Sequence, residues 1–423
     1  MIVPSIDLAG GRAVQLRRGR ELVLDGGDPL ARLDEFSVAG EVAVVDLDAA
    51  MGRGSNAEII AQMVRRAPCR VGGGIRDLEA ARGWLDRGAA RVMLGTAARP
   101  ELCGRLPRDR VIAAVDAEHG EVVVDGWRRR TAVPVLERVA ELASTVGGFL
   151  FTQVECEGGM AGFDLMAVRD VVAAAGEARV TAAGGITTPE EIAELDRLGA
   201  DAQVGMALYT ERLSLGRAVA ACMRSGEGVD PERWPTVVCD ELGDPLGVVW
   251  STHGSVERAV GERRGIYWSR SRRALWVKGE TSGRRQRLLR VDLDCDRDAL
   301  RFTVRQQGAG FCHLPRRTCW PGGFGLGDLE RVIGERSERV EPESGTARLL
   351  ADPALLAAKL REEAAELGQA ISPGEVVHEA ADLSYLVLVA LRRAGASLAD
   401  VQRELECRHR RVSRRPMAAK SVE

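Results

Sequence analysis

The chain has 423 residues, of which 45% are hydrophobic and 29% charged, with a net charge of −3. Such a length exceeds what one core usually organises, so two to four domains are expected. The charge balance excludes bulk electrostatic attraction to nucleic acid or to a membrane surface. There is no apolar run of about 18 residues, and the opening "MIVPSIDLAGGR" lacks the apolar core of a signal peptide, so a cytoplasmic location is expected. Nine cysteines are scattered along the chain. In a reducing compartment they read as buried thiols or metal ligands, not as a disulfide framework. Cys69, Cys103, Cys156, Cys222, Cys239 and Cys407 stand alone and read as buried thiols.

Residues 1–225 alternate short apolar, β-rich runs ("EVAVVDLD", "RVMLGT", "RVIAAVDA", "GFLFTQV") with amphipathic helical stretches. That rhythm predicts parallel strands with crossover helices. The segment also repeats itself. Gly74 and Gly185 are 111 residues apart, Gly95 and Gly205 are 110 apart, and Asp7 and Asp116 are 109 apart. Two matched halves of four βα units predict a (β/α)8 barrel. Asp7 and Asp116 each close an apolar run, so both are expected at the barrel mouth, as one general base and one general acid. Gly73, Gly74, Gly95, Gly184, Gly185 and Gly205 are expected in βα loops that offer backbone N–H groups at helix N-termini, one phosphate per half. Taken singly, each glycine reads better as a tight turn and each aspartate as a helix cap. It is their common register that favours a bisphosphate.

On "PSIDL", "VGGGIR", "VDGW" and "AGGI", the segment resembles the histidine-biosynthesis isomerase that acts on phosphoribosylformimino-aminoimidazole carboxamide ribotide. The resemblance implies Asp7 as base and Asp116 as acid of an Amadori rearrangement, with Trp127 stacked on the ribotide. Thr152 is kept, whereas Gln153 and Glu157 stand where the family has aspartates and Gly159 where it has threonine. Gln15 and Ala183 replace an arginine and a serine. An altered or weakened second half-site is therefore expected.

Residues 226–322 change character, to short strands and dense arginine, as a small β-rich α+β domain. In "VDLDCDRDAL" the alternation of a strand would put Asp292, Asp294, Asp296 and Asp298 on one face and Cys295 on the other. Carboxylates gathered on one face suit Mg²⁺. The alternative is a solvated acidic face. Cys295, Cys312 and Cys319 form a thiolate trio that suits Zn²⁺ with one position open, although no CxxC is present. "YWSRSRRALWVKGETSG", "LDCDRDAL" and "GFCHLPRRTCW" are similar to phosphoribosyl-AMP cyclohydrolase. That resemblance implies zinc on Cys295, Cys312 and Cys319, with Cys295 supplied by the other subunit of a homodimer. His313, beside a zinc ligand, is a candidate proton carrier, against the alternative of an ordinary surface histidine. The arginines between 263 and 290 then serve a ribotide phosphate, not a nucleic acid.

Residues 323–423 read as all-α, with apolar residues at three-to-four spacing. "EEAAE" stacks Glu362, Glu363 and Glu366 along one helix, and "EAAD" does the same with Glu379 and Asp382 on the next. The short "ISPGE" link predicts antiparallel packing, so the carboxylates converge between the helices and, being interleaved with Ala and Leu, are expected to be partly buried. Mg²⁺ held in this way typically carries substrate phosphates. The pattern resembles phosphoribosyl-ATP pyrophosphohydrolase, which implies that Arg348 and Lys359 contact phosphates. Gly345 and Leu386 stand where that family has tyrosine and often histidine.

Taken together, the three resemblances imply consecutive steps on small phosphoribosyl nucleotides in histidine synthesis, in reverse chain order. The competing reading is a bifunctional hydrolase carrying a non-catalytic barrel as scaffold.

Overall fold

The computed structural model describes all residues except 18–20, 125, 158–161, 226–231, 309, 312–313, 315, 321, 339–343 and 414–423. Eight strands form the first sheet's closed core: β1 (Ile2–Ala9), β2 (Val42–Asp46), β3 (Cys69–Gly72), β4 (Arg91–Leu94), β5 (Val111–Glu118), β6 (Gly148–Gln153), β7 (Arg179–Ala183) and β8 (Ala200–Val204). Each pairs in parallel with the next, and β8 pairs back onto β1 with Ala202 opposite Ile2. The expected (β/α)8 barrel is present.

Strand alternation sorts its side chains. Ile2, Ile6 and Leu8 of β1 join the outer core against the helices, while Val3 joins Ala43, Met93, Ile112, Leu150 and Ala183 in the barrel interior. Counting on by twos carries Ser5 and Asp7 along the same inner face towards the carboxyl end. The same count on β5 runs Ile112, Ala114, Asp116. A two-stranded ribbon follows the first strand of each half: Arg12–Arg17 with Glu21–Gly27 after β1, and Glu121–Val124 with Arg129–Pro134 after β5. The internal repeat thus extends beyond the barrel proper.

A six-stranded sheet follows: β9 (Trp234–Cys239), β10 (Pro245–Ser251), β11 (Ile266–Ser269), β12 (Ala274–Val277), β13 (Gln286–Leu293) and β14 (Leu300–Gln306), in the order β12-β11-β10-β9-β14-β13. Only β9 and β14 pair in parallel. The helix His253–Glu262, with a capping box from Thr252 and Ser255, buries Val256, Ala259 and Val260. These residues share one continuous hydrophobic core with the outside of the barrel. Met1–Asp240 and Pro245–Arg317 accordingly form one compact unit, joined by the chain from Glu406 onward as far as it is described. There Asp86 accepts hydrogen bonds from the N–H groups of Val412 and Ser413, at 2.9 and 2.8 Å.

A second unit comprises Glu241–Asp244 and Thr318–Leu405. It is helical, with Leu326–Glu338, Gly345–Ala351, Pro353–Gln369, Pro373–Ala394 and the start of Leu398–His409. Its small core gathers Ile333, Leu349, Leu356, Leu386, Leu388 and Val389. Leu386, where the related family often has histidine, is therefore a packing residue here. Among the described residues no helix is long and apolar enough to cross a membrane. Cys69, Cys103, Cys222, Cys239 and Cys407 are buried as expected, and Cys156 is half-buried.

Gly73 holds φ +90°, and a Cβ there would lie 2.2 Å from the Asp46 carbonyl oxygen at the end of β2. Gly73→Ala should therefore destabilise the chain by at least about 2 kcal/mol. Gly10→Ala also has positive φ but open space around it. It should cost roughly 1 kcal/mol. Urea denaturation of both variants checks the difference.

Candidate active sites

The barrel mouth encloses a cavity of about 1550 Å³, lined by Asp7, Asp116, Trp127, Thr152 and Glu157 and by Gly73, Gly74, Gly95, Gly184, Gly185 and Gly205. The fold therefore brings all the expected barrel residues to one place. Asp7 accepts a hydrogen bond from the Ser5 hydroxyl at 3.3 Å, yet burial pushes its carboxyl up to about 6. Burial also raises Asp116, against hydrogen bonds donated by Trp127 and Thr152 that favour its charged form. Trp127, expected only as a stacking surface, thus also binds one of the two aspartates. Glu157 is pushed up to about 7, first by burial and then by the charges of Asp7 and Asp116. In sequence Glu157 registers only as a departure. In space it is the third member of a carboxylate group. Gln153 is structural: its side-chain oxygen accepts the Asp164 N–H at 2.8 Å and so fixes the start of the next helix. Gly159 lies outside the described residues.

The expectation that the glycines sit at open helix N-termini is corrected in part. The helix after Gly73 and Gly74, Leu78–Asp86, is capped by Asp77; the helix after Gly184 and Gly185, Pro189–Arg197, is capped by Thr188 in a capping box. Side chains already use N–H groups there. Gly205 does directly precede a helix, Met206–Tyr209, whose start carries no side-chain cap, while Gly95 opens a turn. Gly73 and Gly184 serve instead as close approaches to the ends of β2 and β6, against Asp46 and Gln153.

In the second sheet, the expected strand through Asp298 is also corrected. β13 ends at Leu293, and Asp294–Ala299 is a loop closed by the Asp294 N–H to Ala299 carbonyl bond at 3.1 Å and by the Ala299 N–H to Asp294 carboxylate bond at 3.1 Å. Asp292 stays on the strand and pairs with Arg290 at 2.6 Å and Arg301 at 3.0 Å, so it does not join the cluster. Asp294, Asp296 and Asp298 still converge, each offering an oxygen within 4.8 Å of the others. Burial and the charges of Asp296 and Asp294 raise the Asp298 carboxyl, so the group is short of positive charge. Hard oxygens in that arrangement fit Mg²⁺. Cys295, on the same loop, is exposed, as is Cys319. Cys312 and His313 lie outside the described residues.

In the helical unit, Pro353–Gln369 and Pro373–Ala394 pack together across a short link. Glu363, Glu366 and Glu379 present oxygens within 4.8 Å of one another. The Glu363 carboxyl is raised by burial and by the charges of Glu366 and Asp382. Two expectations need correction. Glu363 and Glu379 are half-buried, but Glu362, Glu366 and Asp382 are exposed, because so little apolar surface covers this face. Glu362 turns to Lys359 at 2.9 Å and Asp382 to His378 at 3.5 Å, so the converging set is smaller than the sequence suggests. Lys359 is engaged by Glu362 and, at 3.9 Å, by Glu363. Arg348 is exposed in the last turn of Gly345–Ala351.

The family described as "Histidine biosynthesis protein" matches residues 1–214, half of the chain. The chain belongs to that family. Behind the family barrel, "Phosphoribosyl-AMP cyclohydrolase" matches residues 247–321 and "Phosphoribosyl-ATP pyrophosphohydrolase" residues 326–409. A histidine biosynthesis trifunctional protein of Saccharomyces bayanus is 46% identical over 187 residues, 44% of this chain and 23% of that protein. A histidine biosynthesis bifunctional protein of Schizosaccharomyces pombe is 44% identical over 185 residues, 44% of each. The bifunctional protein HisIE of Gloeobacter violaceus is 41% identical over 189 residues, 42% of this chain and 87% of its own. The matched region spans less than half the length of these fungal relatives.

Glu157→Gln isolates the electrostatics of the mouth. A carboxyl raised on folding destabilises the folded state increasingly as pH climbs from about 4.5, its ordinary value, to about 7. The variant should therefore gain roughly 1–3 kcal/mol over wild type at pH 8 and little at pH 4.5. Thermal unfolding at the two pH values checks this, and an equal gain at both would refute the charge coupling.

Proposed function

We propose that the chain is a multifunctional histidine-biosynthesis enzyme acting on small phosphoribosyl nucleotides in the cytoplasm. The helical unit releases pyrophosphate from phosphoribosyl-ATP, the second sheet's segment opens the adenine ring of phosphoribosyl-AMP, and the barrel isomerises the product. The observation that carries this reading is the presence of three carboxylate groupings, one in each matched segment.

In the helical unit, Glu363, Glu366 and Glu379 would hold Mg²⁺, with Asp382 and Glu362 beside them. The ion would neutralise the phosphate charge as the phosphoanhydride is hydrolysed. Lys359, already drawn to this cluster, and Arg348 would bind the substrate's phosphates. In the second segment, Asp294, Asp296 and Asp298 would hold Mg²⁺. Zinc is assigned by resemblance to Cys295, Cys312 and Cys319, in a homodimer in which the partner copy supplies Cys295. Its chemistry would be to make water nucleophilic at neutral pH. The exposure of Cys295 suits a thiol offered to another copy, and His313 would carry a proton.

In the barrel, Asp7 at about 6 ionises ahead of Glu157 at about 7. That order suits Asp7 as the base that removes the proton during enolisation. Asp116 and Glu157 then share the proton-bearing role on the other half, and Trp127 and Thr152 orient Asp116. The glycine loops would take the two phosphates.

Purified protein supplied with phosphoribosyl-ATP and Mg²⁺ should carry it through all three steps, followed by chromatography of the products. Accumulation of the unisomerised ribotide, even at high enzyme concentration, would favour the scaffold reading of the barrel. Asp7→Asn should lower isomerisation about 10²–10⁴-fold while leaving ribotide binding nearly unchanged. Glu366→Gln should stop pyrophosphate release and spare turnover of supplied phosphoribosyl-AMP. Normal cleavage by that variant would remove the helical cluster from the mechanism.

A further inference from the structure

The loop that carries Asp294, Asp296 and Asp298 contains one cation, Arg297, and it turns away from the carboxylates. Its backbone is left-handed, at φ +71°. Its guanidinium pairs with Asp196, a carboxylate only 4% exposed in the last turn of the barrel helix Pro189–Arg197. The Arg297 carbonyl accepts the N–H of Arg224 at 2.9 Å, and the Arg224 side chain binds the same Asp196, its Nε at 2.8 Å. The chain's own ammonium at Met1 lies 3.5 Å from Asp196 and 2.6 Å from Asp201, the second residue of β8. The carboxylate loop is therefore docked on the amino-terminal end of the barrel, at the opposite end of the strands from the cavity that holds Asp7 and Asp116.

This contact answers a physical problem. Three carboxylates on one short loop repel one another and, without a restraint, would spread apart when no cation is bound. Arg297 does not neutralise them from within the cluster. It ties the loop's midpoint to a buried counter-charge, so that the three side chains converge with one oxygen of each within 4.8 Å of the others, although Asp294 also accepts the Ala299 N–H. Without Asp196, Arg297 would face Arg224 with no anion between them, since Asp201 stays with the Met1 ammonium. Their repulsion would push the loop off its platform.

We propose that the barrel is a positioning platform for the carboxylate loop: Asp196, acting through Arg297, holds Asp294, Asp296 and Asp298 in cation-binding geometry. Asp196 and Arg297 are positioning residues, not ligands. The proposal rests on reading the aspartate trio as a divalent-cation site, so its test separates the two ideas.

The full-length protein is titrated with Mn²⁺ while the free ion is followed by electron paramagnetic resonance. Asp298→Asn identifies the loop site as the one it weakens. Asp196→Asn should weaken that same site about tenfold or more, leave the remaining Mn²⁺ sites unchanged, and leave pyrophosphate release at the wild-type rate. Arg297→Gln, which leaves the barrel's own residues intact, should reproduce the effect if Asp196→Asn folds poorly, and Arg297→Lys should restore part of the affinity. If Asp298→Asn weakens no site, the trio is not a cation site. If it does, but folded Asp196→Asn and Arg297→Gln bind Mn²⁺ at that site as wild type does, the platform proposal is overturned.

Discussion

Like charges held a few ångströms apart govern this molecule. Two carboxylates about 4 Å apart repel by roughly 1 kcal/mol in water and by about 4 kcal/mol near a protein surface. Each of the three matched segments nevertheless gathers three carboxylates, with oxygens within 4.8 Å of one another in the loop and the paired helices and electrostatically coupled around one cavity in the barrel. The barrel answers by protonation: enclosed by its walls, Asp7 and Glu157 rise to about 6 and 7. The loop after β13 and the paired helices lie open to solvent, where protonation at neutral pH is not available to the same degree. The helical cluster draws Lys359 to it, whereas the loop's own Arg297 is spent on Asp196; both groups retain oxygens that a divalent ion could take. Three similar groups thus differ in burial, and with it in how far protonation can relieve their repulsion.

What could be read from the sequence follows from which interactions are local. Alternation along β1 and β5 is local, so the inward direction of Asp7 and Asp116 and their place at the mouth are legible. So is the repeat of about 110 residues, because each half folds the same way. The helical carboxylates were legible through their three-to-four spacing. Their burial was not, since it depends on how much apolar surface other helices bring, and this unit's core is small. Alternation does not extend through Asp294–Asp298 because the strand stops at Leu293 and the chain turns back on itself through the Asp294–Ala299 hydrogen bonds, with Arg297 left-handed inside that loop, and Arg290 and Arg301 claim Asp292. Glu157 coupled to both aspartates and Arg297 paired with Asp196 are contacts between distant stretches, and Trp127 reaches Asp116 through the turn of the ribbon that follows β5. No periodicity encodes them.

Docking the loop on the barrel also bears on the departures at the barrel mouth. The strands' carboxyl ends carry the cavity, and their amino ends carry Met1, Asp201 and, on the adjacent helix, Asp196. In this fold, residues at the carboxyl ends serve chemistry and residues at the amino ends serve stability. The interior layer of Val3, Ala43, Met93, Ile112, Leu150 and Ala183 separates the two. Replacements such as Gln153 and Glu157 can therefore alter the mouth while the platform beneath the carboxylate loop keeps its shape. Among the described residues the Gln153 side chain bonds to Asp164, on the mouth side. Support of the neighbouring loop therefore neither requires nor excludes chemistry at the mouth, because the two lie at opposite ends of the strands. The two ends of one barrel meet different neighbours, and a change at the mouth need not disturb the carboxylate loop docked at the other end.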